Sequence, residues 1–395
     1  MNVYADNAAT TKMSEAAIRA MLACMEEQYG NPSSLYSLGQ RAKETLEAAR
    51  AEIAEVIGAD AREITFTSGG SEADNQALRS GAVLGKKAGK RHLISTAFEH
   101  HAVLHTLKAL EREGFEVTLL PVHEDGLVRP DELEAAIRSD TCLVSVMFAN
   151  NEIGTIQPIR ELAAICKAHG VLFHTDAVQA VGHLPIDVKA LGVDLLSASA
   201  HKFHGPRGVG FLYARKGVQL ASLIEGGAQE RGKRAGTENV AGIVSMATAL
   251  KEANAAMEEN AASLIPLRDR LIAGLRKIPH SALNGDETKR LPGNVNFCFE
   301  GIEGESLLLL LDDRGISASS GSACTSGSLD PSHVLLAIGR KHDVAHGSLR
   351  LTLGADATQE QVDYLIENVR EVVEYLRSFS PIWRDLTSGK KPFIL

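Results

Sequence analysis

Short apolar runs alternate with amphipathic helical stretches between about residues 40 and 215, and this alternation limits the possible folds. Strands and helices that alternate over such a length predict an α/β domain with a mostly parallel sheet. Ligands of such sheets bind beyond the carboxyl ends of the strands, so polar motifs that directly follow a strand are candidate site residues. The predicted strands cover 64–67, 92–95, 117–120, 143–147, 172–174, 195–198 and 209–213, and the predicted helices cover 72–84, 102–112, 131–139 and 160–169.

The second half of the chain has a different pattern. A long helical stretch at 239–278 has few breaks and is predicted to lead out of the first domain. Beyond it, strands at 293–299 and 349–353 mix with helices at 304–314 and 359–378. That mixture predicts a smaller α+β domain.

Lys202 stands among small residues, histidines and turn glycines at the end of a predicted strand. A pyridoxal-phosphate (PLP) enzyme needs a lysine amine to form a Schiff base and an acid to pair with the ring nitrogen. Asp176, at the end of the preceding strand, is such an acid. An ordinary surface lysine is the alternative, but the strand-end position favours a lysine that faces a site. These residues together predict PLP chemistry on amino acids.

A Gly/Ser turn follows the first of these strands and opens a helix. Backbone N–H groups at such a helix start, with the helix dipole, can bind a phosphate through Gly69, Gly70 and Ser71. A simple helix capped by Ser71 explains the same residues equally well. The chain has neither a G-x-G-x-x-G fingerprint nor a Walker-type loop, which disfavours NAD and ATP.

Histidines follow another predicted strand. His100 could stack on an aromatic ring or carry protons. His101 and His105 are four residues apart, as in some zinc sites, but no third ligand is evident. A solvated helix face therefore explains this pair better.

Two polar features could recognise a substrate. The amides of Asn150 and Asn151 follow a strand and suit either polar recognition or a turn. Arg350 lies in a strand-like stretch and could hold a carboxylate through two hydrogen bonds. A structural salt bridge is an equally good explanation of that arginine.

Cys324 lies among Ser, Gly and Thr, with no large apolar neighbour nearby. Core cysteines rarely have such surroundings, so we predict a mobile loop that carries an accessible thiol. Such a thiol can be a nucleophile once it is ionised. Cys142 and Cys166 lie in apolar segments and are predicted to be core residues, as is Cys24. No two of the five cysteines form a CxxC pair, so neither a zinc site nor a disulfide framework is supported.

Bulk composition excludes several classes of partner. With 41 Lys and Arg against 50 Asp and Glu, the net charge of −9 argues against nucleic acid or an anionic membrane. The apolar runs are too short to span a bilayer, and the first residues do not read as a signal peptide. We therefore expect a cytoplasmic protein.

Seven motifs occur in order along nearly the whole chain. They are Asp6-Asn-Ala-Ala-Thr-Thr11, Gly30-Asn-Pro-Ser-Ser34, Asn150-Asn-Glu-Ile-Gly154, His174-Thr-Asp-Ala-Val-Gln179, Ser199-Ala-His-Lys202, Arg234-Ala-Gly-Thr-Glu-Asn239 and Ser319-Ser-Gly-Ser-Ala-Cys-Thr325. Together they make the sequence resemble the cysteine desulfurases of the NifS and IscS type, class V enzymes of PLP fold type I. The motif that begins at Arg234 resembles NifS more than IscS.

The resemblance implies a fold and a domain division. A large PLP-binding domain, residues 15–258, would contain a mostly parallel seven-stranded sheet flanked by helices. Residues 1–14 with 259–395 would form the small α+β domain that carries the Cys324 loop. The implied reaction is removal of sulfur from L-cysteine to give L-alanine.

The resemblance also implies how the residues hold the cofactor. Lys202 forms the Schiff base and moves the α-proton, and Asp176 pairs with the pyridine nitrogen. His100 stacks on the ring and is a catalytic residue together with Lys202 and Cys324, while Gln179 contacts the ring hydroxyl. The remaining implied cofactor contacts are phosphate contacts from Gly70, Ser71, Ser199 and His201, from Thr237 of the other subunit of a homodimer, and a contact from Asn151.

For the substrate, the resemblance implies that Asn151 and Arg350 hold the carboxylate of cysteine. Cys324 then takes the sulfur as a persulfide and passes it to an iron–sulfur scaffold or another acceptor protein. The resemblance implies no resident metal, although Cys324 can transiently ligate an iron–sulfur cluster. A selenocysteine lyase or an aminotransferase of the same fold is the alternative.

Two positions depart from the family pattern. Ser71 stands where Thr is more usual, and it keeps the hydroxyl group. Ala355 follows Gly354 where an arginine is common.

Overall fold

The computed structural model describes residues 1–320 and 331–395, so the segment around Cys324 lies outside the described residues. The strands in this part of the chain are β1 (Val3–Tyr4), β2 (Ile64–Thr67), β3 (His92–Thr96), β4 (Glu116–Leu120), β5 (Thr141–Ser145), β6 (Leu172–Asp176), β7 (Leu195–Ser199), β8 (Gly210–Ala214), β9 (Ser281–Leu283), β10 (Asn294–Phe299), β11 (Ile316–Ser317) and β12 (Ser348–Thr352).

Helices follow most of these strands in the order that the sequence pattern predicts. The α-helices of the described residues are α1 (Glu15–Glu27), α2 (Ser37–Val56), α3 (Gly70–Lys87), α4 (His101–Arg112), α5 (Pro130–Ala136), α6 (Ile159–Ala168), α7 (Val188–Leu191), α8 (Val240–Ala255), α9 (Met257–Leu275), α10 (Gly304–Asp313), α11 (His333–Ala337), α12 (His342–Ala345), α13 (Gln359–Phe379) and α14 (Pro381–Thr387).

The large sheet has the strand order β2-β8-β7-β6-β5-β3-β4. Neighbours from β7 to β4 pair in parallel, whereas β8 is antiparallel to both β2 and β7. Every residue of β3, β5, β7 and β8 is buried, as expected for strands covered on both faces. This sheet confirms the predicted mostly parallel seven-stranded architecture.

Two predicted elements differ from the observed ones. The strand predicted at 143–147 is β5, which begins and ends two residues earlier. Its apolar run continues past the strand end, where the Met147 N–H donates to Glu99 Oε1 at 2.9 Å instead of to a neighbouring strand. The helical stretch predicted at 239–278 is two helices, α8 and α9, which meet at Ala256 without a glycine or proline at the junction.

A second, smaller sheet has the antiparallel order β12-β10-β9, and β1 pairs in parallel with β11 beside it. Helices α9 and α10 pack against these strands, and α13 packs against both helices. Val3 and Ala5 belong to the same core as residues between Leu264 and Leu376, so the N-terminal segment closes the smaller sheet.

The division into residues 15–258 and 1–14 with 259–395 stays a prediction. Val334, Leu335 and Val344 lie in the core of the large sheet although they belong to the C-terminal half of the chain. Neither described stretch of the chain contains a helix with the length and apolar character to cross a membrane.

A buried ion pair fixes the strand that leads into the phosphate turn. Arg50 donates to both carboxylate oxygens of Glu230, at 2.8 and 2.7 Å, and both side chains are 3% exposed. Glu230 also accepts the Phe66 N–H of β2 at 2.9 Å. Glu230 and Arg231 have φ values of 48° and 59°, which non-glycine residues adopt only where surrounding contacts impose them. The ion pair supplies such contacts.

We predict that Glu230→Ala lowers the free energy of unfolding by about 3–5 kcal/mol, because it leaves the buried Arg50 charge with only the half-exposed Glu47 as a partner. Urea denaturation followed by circular dichroism measures this as a lower midpoint. Asp363→Ala removes the partner of Arg270 in an exposed pair and serves as the control with an unchanged midpoint. Equal midpoints for the two variants would show that the buried pair does not stabilise the fold.

Candidate active site

The carboxyl ends of the large sheet's strands open onto a cavity with about 950 Å³ of empty volume. The parallel strands of a sheet end at one edge, so segments far apart in sequence meet there. The Arg350 side chain reaches the same cavity from β12 of the smaller sheet. The lining residues are Ala8, Ala9, Gly70, Ser71, Asp74, His100, Met147, Asn151, Asp176, Val178, Gln179, Ser199, His201, Lys202 and Arg350.

Lys202 ends a short 3₁₀ turn that directly follows β7. Its Nζ donates to the carbonyl oxygens of Ala8 at 2.7 Å and Ala9 at 2.8 Å. Its own carbonyl accepts a hydrogen bond from His183 Nε2 at 2.8 Å. These contacts fix both ends of the residue, so the amine is held at the cavity by backbone that comes from the N-terminal segment.

Asp176 is the last residue of β6 and is buried. Its Oδ1 accepts the Val178 N–H at 2.9 Å. Burial raises the pKa of Asp176 to about 6, while the positive charge of Lys202 lowers it. A cation placed against this carboxylate would favour its ionised form further.

Asp74, on α3, is a second buried acid in the cavity that sequence reasoning missed. Burial, then the charge of Asp176, raises the pKa of Asp74 well above its usual range. The buried ring of His174 lies 3.7 Å from Asp74 and bonds Ser145 and Ser197 through its two nitrogens. The sequence shows Asp74 only as a polar residue in a helix, with no signal that it faces Asp176.

His100 caps the N-terminus of α4, where its Nδ1 accepts the Ala102 N–H at 3.1 Å. Burial, helped by the nearby Lys202, lowers the pKa of His100 to about 4. The ring is therefore neutral at pH 7, with its proton on Nε2. A neutral flat ring at this position can stack on an aromatic cofactor.

The turn between β2 and α3 has the shape of a phosphate site. Gly69 has φ 148°, which a side chain would strain, and a Cβ on Gly70 would lie 2.5 Å from Val178 Cγ2. The N-terminus of the 18-residue helix α3, with Ser71 and Ser199, surrounds this turn. Helix N–H groups and hydroxyls are the donors that a phosphate needs, so the residues fit the phosphate of PLP.

His201 lies beside the turn and contacts the N-terminal segment. Its Nδ1 is 3.1 Å from Thr10 Oγ1, and burial lowers the pKa of the ring to about 4. A neutral imidazole at this place can donate a hydrogen bond to a phosphate oxygen without adding a charge.

Arg350 enters the cavity from the smaller sheet and is only 2% exposed. Its Nη2 donates to Asp6 Oδ1 at 2.7 Å, and its Nη1 donates to the Asn151 carbonyl at 3.0 Å. Its Nε has no hydrogen-bond partner among the described residues. A carboxylate that entered the cavity could satisfy that donor. Of the two alternatives that the sequence left for Arg350, the structure shows the ion pair, and the substrate contact stays a prediction.

The N-terminal segment contributes contacts that the sequence motif alone did not reveal. The Ala8 carbonyl accepts from Gln179 Nε2 at 3.0 Å as well as from Lys202. The Thr11 N–H donates to the His201 carbonyl at 2.9 Å. The sequence signal for these contacts was the first motif, residues 6–11, to which no role could be given. Its role lies mostly in backbone carbonyls, which carry no residue-type signature.

Thr237 does not lie in this cavity. It is exposed and lines a separate pocket with Thr67, Ser68, Gly208 and other residues. Within a single chain it therefore does not join the other predicted phosphate ligands.

Four cysteines of the described residues are buried: Cys24, Cys142, Cys166 and Cys298. Burial raises the pKa of the Cys142 thiol to about 11 and that of Cys166 to about 12. These thiols are core residues, as predicted for Cys24, Cys142 and Cys166. Cys324 lies outside the described residues.

The His101 ring stacks on His105 and lies tilted against a third ring, His333, so the pair is not a fully solvated face. The His101 ring centroid lies 5.0 Å from that of His105 and 4.6 Å from that of His333. Only His105 is exposed. In the described part of the chain, no three His, Cys, Asp or Glu side chains form a group that could hold a metal ion.

Known proteins resemble the whole chain. The profile of the family described as aminotransferase class-V matches residues 3–365. A protein of Methanosarcina thermophila named cysteine desulfurase IscS is 57% identical over 380 residues, which cover 96% of this chain and 94% of that protein.

Solved structures agree with this match. A structure titled NifS-like protein has a TM-score of 0.89 and 40% identity, and the match covers 95% of this chain and 100% of that one. A structure titled SspA in complex with cysteine has a TM-score of 0.78 and 34% identity, covering 89% of this chain and 98% of that one. The chain therefore belongs to the class-V aminotransferase family, among the cysteine desulfurases of the NifS and IscS type.

Proposed function

We propose that this protein is a PLP-dependent L-cysteine desulfurase that transfers the sulfur of L-cysteine to Cys324 and releases L-alanine. The observation that carries the proposal is the single cavity that unites Lys202 and Asp176 with the buried Arg350. This arrangement offers an amine, an acid and a carboxylate receptor within one site. The name of the relative at 57% identity, cysteine desulfurase IscS, supports the same activity, and the structure titled SspA in complex with cysteine supports cysteine as the ligand.

The chain's own residues would hold each part of PLP. Lys202 would bind it through Nζ, Asp176 would pair with the ring nitrogen, and His100 would stack on the ring. Gln179 would contact the ring hydroxyl, and Asn151 would contact the cofactor from the cavity wall. Gly70, Ser71, Ser199 and His201 would bind the phosphate.

When bound, PLP draws electrons from the α-carbon of the amino acid and so labilises its bonds. Arg350 and Asn151 would hold the substrate carboxylate and thereby orient the α-carbon. Lys202 Nζ would move the α-proton. Lys202 and His100, the two proposed catalytic residues among the described ones, line the same cavity.

Cys324 Sγ would take the sulfur. The Cβ–S bond of the substrate breaks, a new S–S bond forms to Cys324 Sγ, and the substrate carbon gains a proton to leave as alanine. The buried positions and raised thiol pKa values of the other cysteines support Cys324 as the nucleophile. The residues on either side of the undescribed segment are held near the cavity. The Ser319 hydroxyl donates to Asp6, which pairs with the cavity residue Arg350. The Ser332 hydroxyl donates to Glu152, which follows the cavity residue Asn151 in sequence.

We further propose a homodimer in which Thr237 completes the partner's phosphate site. The position of Thr237 supports this arrangement, because the residue is exposed and lines another pocket of its own chain. Helix α1 and the residues after it also present an exposed apolar face that a second copy could cover. Its members are Ile18, Leu22, Met25, Tyr29, Leu35 and Tyr36.

The persulfide would pass to an acceptor protein, either an iron–sulfur scaffold or a protein of another thiolation route. Cys324 could transiently ligate a cluster during that transfer. A free catalytic thiol stays reduced in a reducing compartment, so we propose a cytoplasmic location. The experiment that tests the function supplies L-cysteine and measures alanine and sulfide, against selenocysteine and a panel of other amino acids. Absence of alanine from L-cysteine would refute it.

We predict that Lys202→Ala loses the yellow colour of bound PLP, because Lys202 is the lysine among the described residues that line the cavity. After borohydride reduction of the wild type, mass spectrometry should find the cofactor on the peptide that contains Lys202. Lys251→Ala, at an exposed lysine of α8, is the matched control and should stay yellow. A wild-type protein that remains colourless after incubation with PLP would refute the cofactor assignment.

We expect Cys324→Ala to keep the cofactor and to bind cysteine, but to form no persulfide. Sulfide production with a reducing agent should fall by about two orders of magnitude or more, as for the loss of a nucleophile. Thiol alkylation followed by mass spectrometry detects the persulfide. Cys24→Ala, at a buried cysteine, should remain active. Full activity of Cys324→Ala would remove Cys324 from the mechanism.

Arg350→Ala should raise KM for L-cysteine about thirtyfold or more, which corresponds to the roughly 2 kcal/mol lost with a buried charge partner. Arg350→Lys keeps a charge but not the fork of donors, so it should restore only part of the affinity. Steady-state kinetics measure both effects. An unchanged KM in Arg350→Ala would assign Arg350 to the structure rather than to substrate binding.

A further inference from the structure

The motif at residues 6–11 connects the two ends of the active site. Ala8 and Ala9 hold Lys202 Nζ through their carbonyls, and Asp6 holds Arg350 through its carboxylate. The segment therefore joins the lysine of the large sheet to the arginine of the smaller sheet. Asp6 is the residue of this segment whose charged side chain bonds Arg350, a predicted substrate-binding residue.

Asp6 is itself fixed in place. Its backbone bridges Thr352 of β12, two residues from Arg350. One carboxylate oxygen accepts from Arg350 Nη2 at 2.7 Å, and the other accepts the Ser319 hydroxyl at 2.9 Å. Ser319 in turn exchanges backbone hydrogen bonds with Arg350, at 2.6 and 3.3 Å. A carboxylate with both oxygens engaged and its backbone paired cannot easily rotate away.

The contacts of Arg350 show which of its hydrogen-bond donors remain for a ligand. Asp6 occupies Nη2 and the Asn151 carbonyl occupies Nη1, while Nε has no partner among the described residues. A long arginine side chain loses rotamer freedom when it binds a ligand, and prior orientation removes that cost from the binding step. Asp6 also compensates a guanidinium that is almost fully buried before any substrate arrives.

We propose that Asp6 is a positioning residue for substrate binding, which orients Arg350 so that its remaining donors face the α-carboxylate of the incoming amino acid. Asp6 does not touch the substrate and acts through Arg350. This assignment rests on the proposed function, because it takes the Arg350 contact with the carboxylate as given. It predicts an effect on the affinity for amino acids and little effect on the chemical step.

The first test measures steady-state kinetics of Asp6→Ala and Asp6→Asn holoenzymes with L-cysteine. Asp6→Ala should raise KM about tenfold, with kcat within about twofold of the wild type. Asp6→Asn, which keeps an acceptor for Arg350 but loses the charge, should raise KM by less. Asp363→Ala, which breaks an exposed pair with Arg270, is the matched control and should leave KM unchanged. Unchanged KM in both Asp6 variants would overturn the proposal.

A double-mutant cycle separates positioning from general damage to the fold. In the Arg350→Ala background, Asp6→Ala should change KM by less than about twofold, because the group that it positions is gone. An undiminished tenfold effect in that background would overturn the proposal, since Asp6 would then act without Arg350. If Asp6→Ala does not fold, which thermal melting would reveal, Asp6→Asn takes its place in the cycle.

A binding titration distinguishes failure of this proposal from failure of the proposed function. L-Alanine carries the same carboxylate and amine as cysteine but no sulfur, and its binding can be followed by the absorbance of the bound cofactor. Asp6→Ala should weaken L-alanine binding about tenfold and leave binding of ethylamine, which lacks the carboxylate, unchanged. Equal weakening for both amines would overturn the positioning role. Loss of alanine formation from cysteine in the wild type would refute only the desulfurase activity.

Discussion

Parallel strands that end at one edge are the constraint from which the site follows. β2, β3, β5, β6 and β7 all point their carboxyl ends at the same cavity. Each end then needs only one or two residues to contribute a phosphate turn, a neutral histidine, an acid or an amine. The sheet thereby brings five distant stretches of sequence together at one cavity. The smaller sheet contributes Arg350 to the same cavity.

The electrostatics of the cavity reflect its burial. Burial keeps His100 and His201 neutral and raises the pKa of Asp176 to about 6. Lys202 and Arg350 are the positive side chains that line the cavity, and both are held by oxygens of the segment that contains Asp6 and Ala8. A cavity of this kind favours a ligand with a cationic ring on one side and anionic groups on the other. PLP with a bound amino acid has that distribution of charge.

The sequence was sufficient for features that depend on residue type and spacing. The alternation of strands and helices predicted the large sheet, because strands covered on both faces are continuously apolar. Asp176 and Lys202 were predicted because each side chain follows such a strand. The end of β5 was misplaced, since the apolar run continues past it to Met147 at the cavity wall. The junction at Ala256 was missed because neither glycine nor proline marks it.

Contacts made by backbone, or across the two sheets, could not be predicted. The carbonyls of Ala8 and Ala9 hold Lys202, and any residue type could supply them. Asp74 faces Asp176 only because α3 packs against the large sheet, which a helical pattern cannot show. The Arg350–Asp6 pair joins residues 344 positions apart, so spacing gave no indication of it.

The buried ion pair between Arg50 and Glu230 would affect both subunits of the proposed dimer. Glu230 anchors β2, which leads to the chain's own phosphate turn, and lies seven residues before Thr237, which would serve the neighbouring subunit. In that dimer, one ion pair would therefore support parts of two different cofactor sites. A substitution that breaks the ion pair in one subunit would therefore also impair the cofactor site of the other subunit. A dimer of one variant and one wild-type subunit would then be less active than the average of the two homodimers.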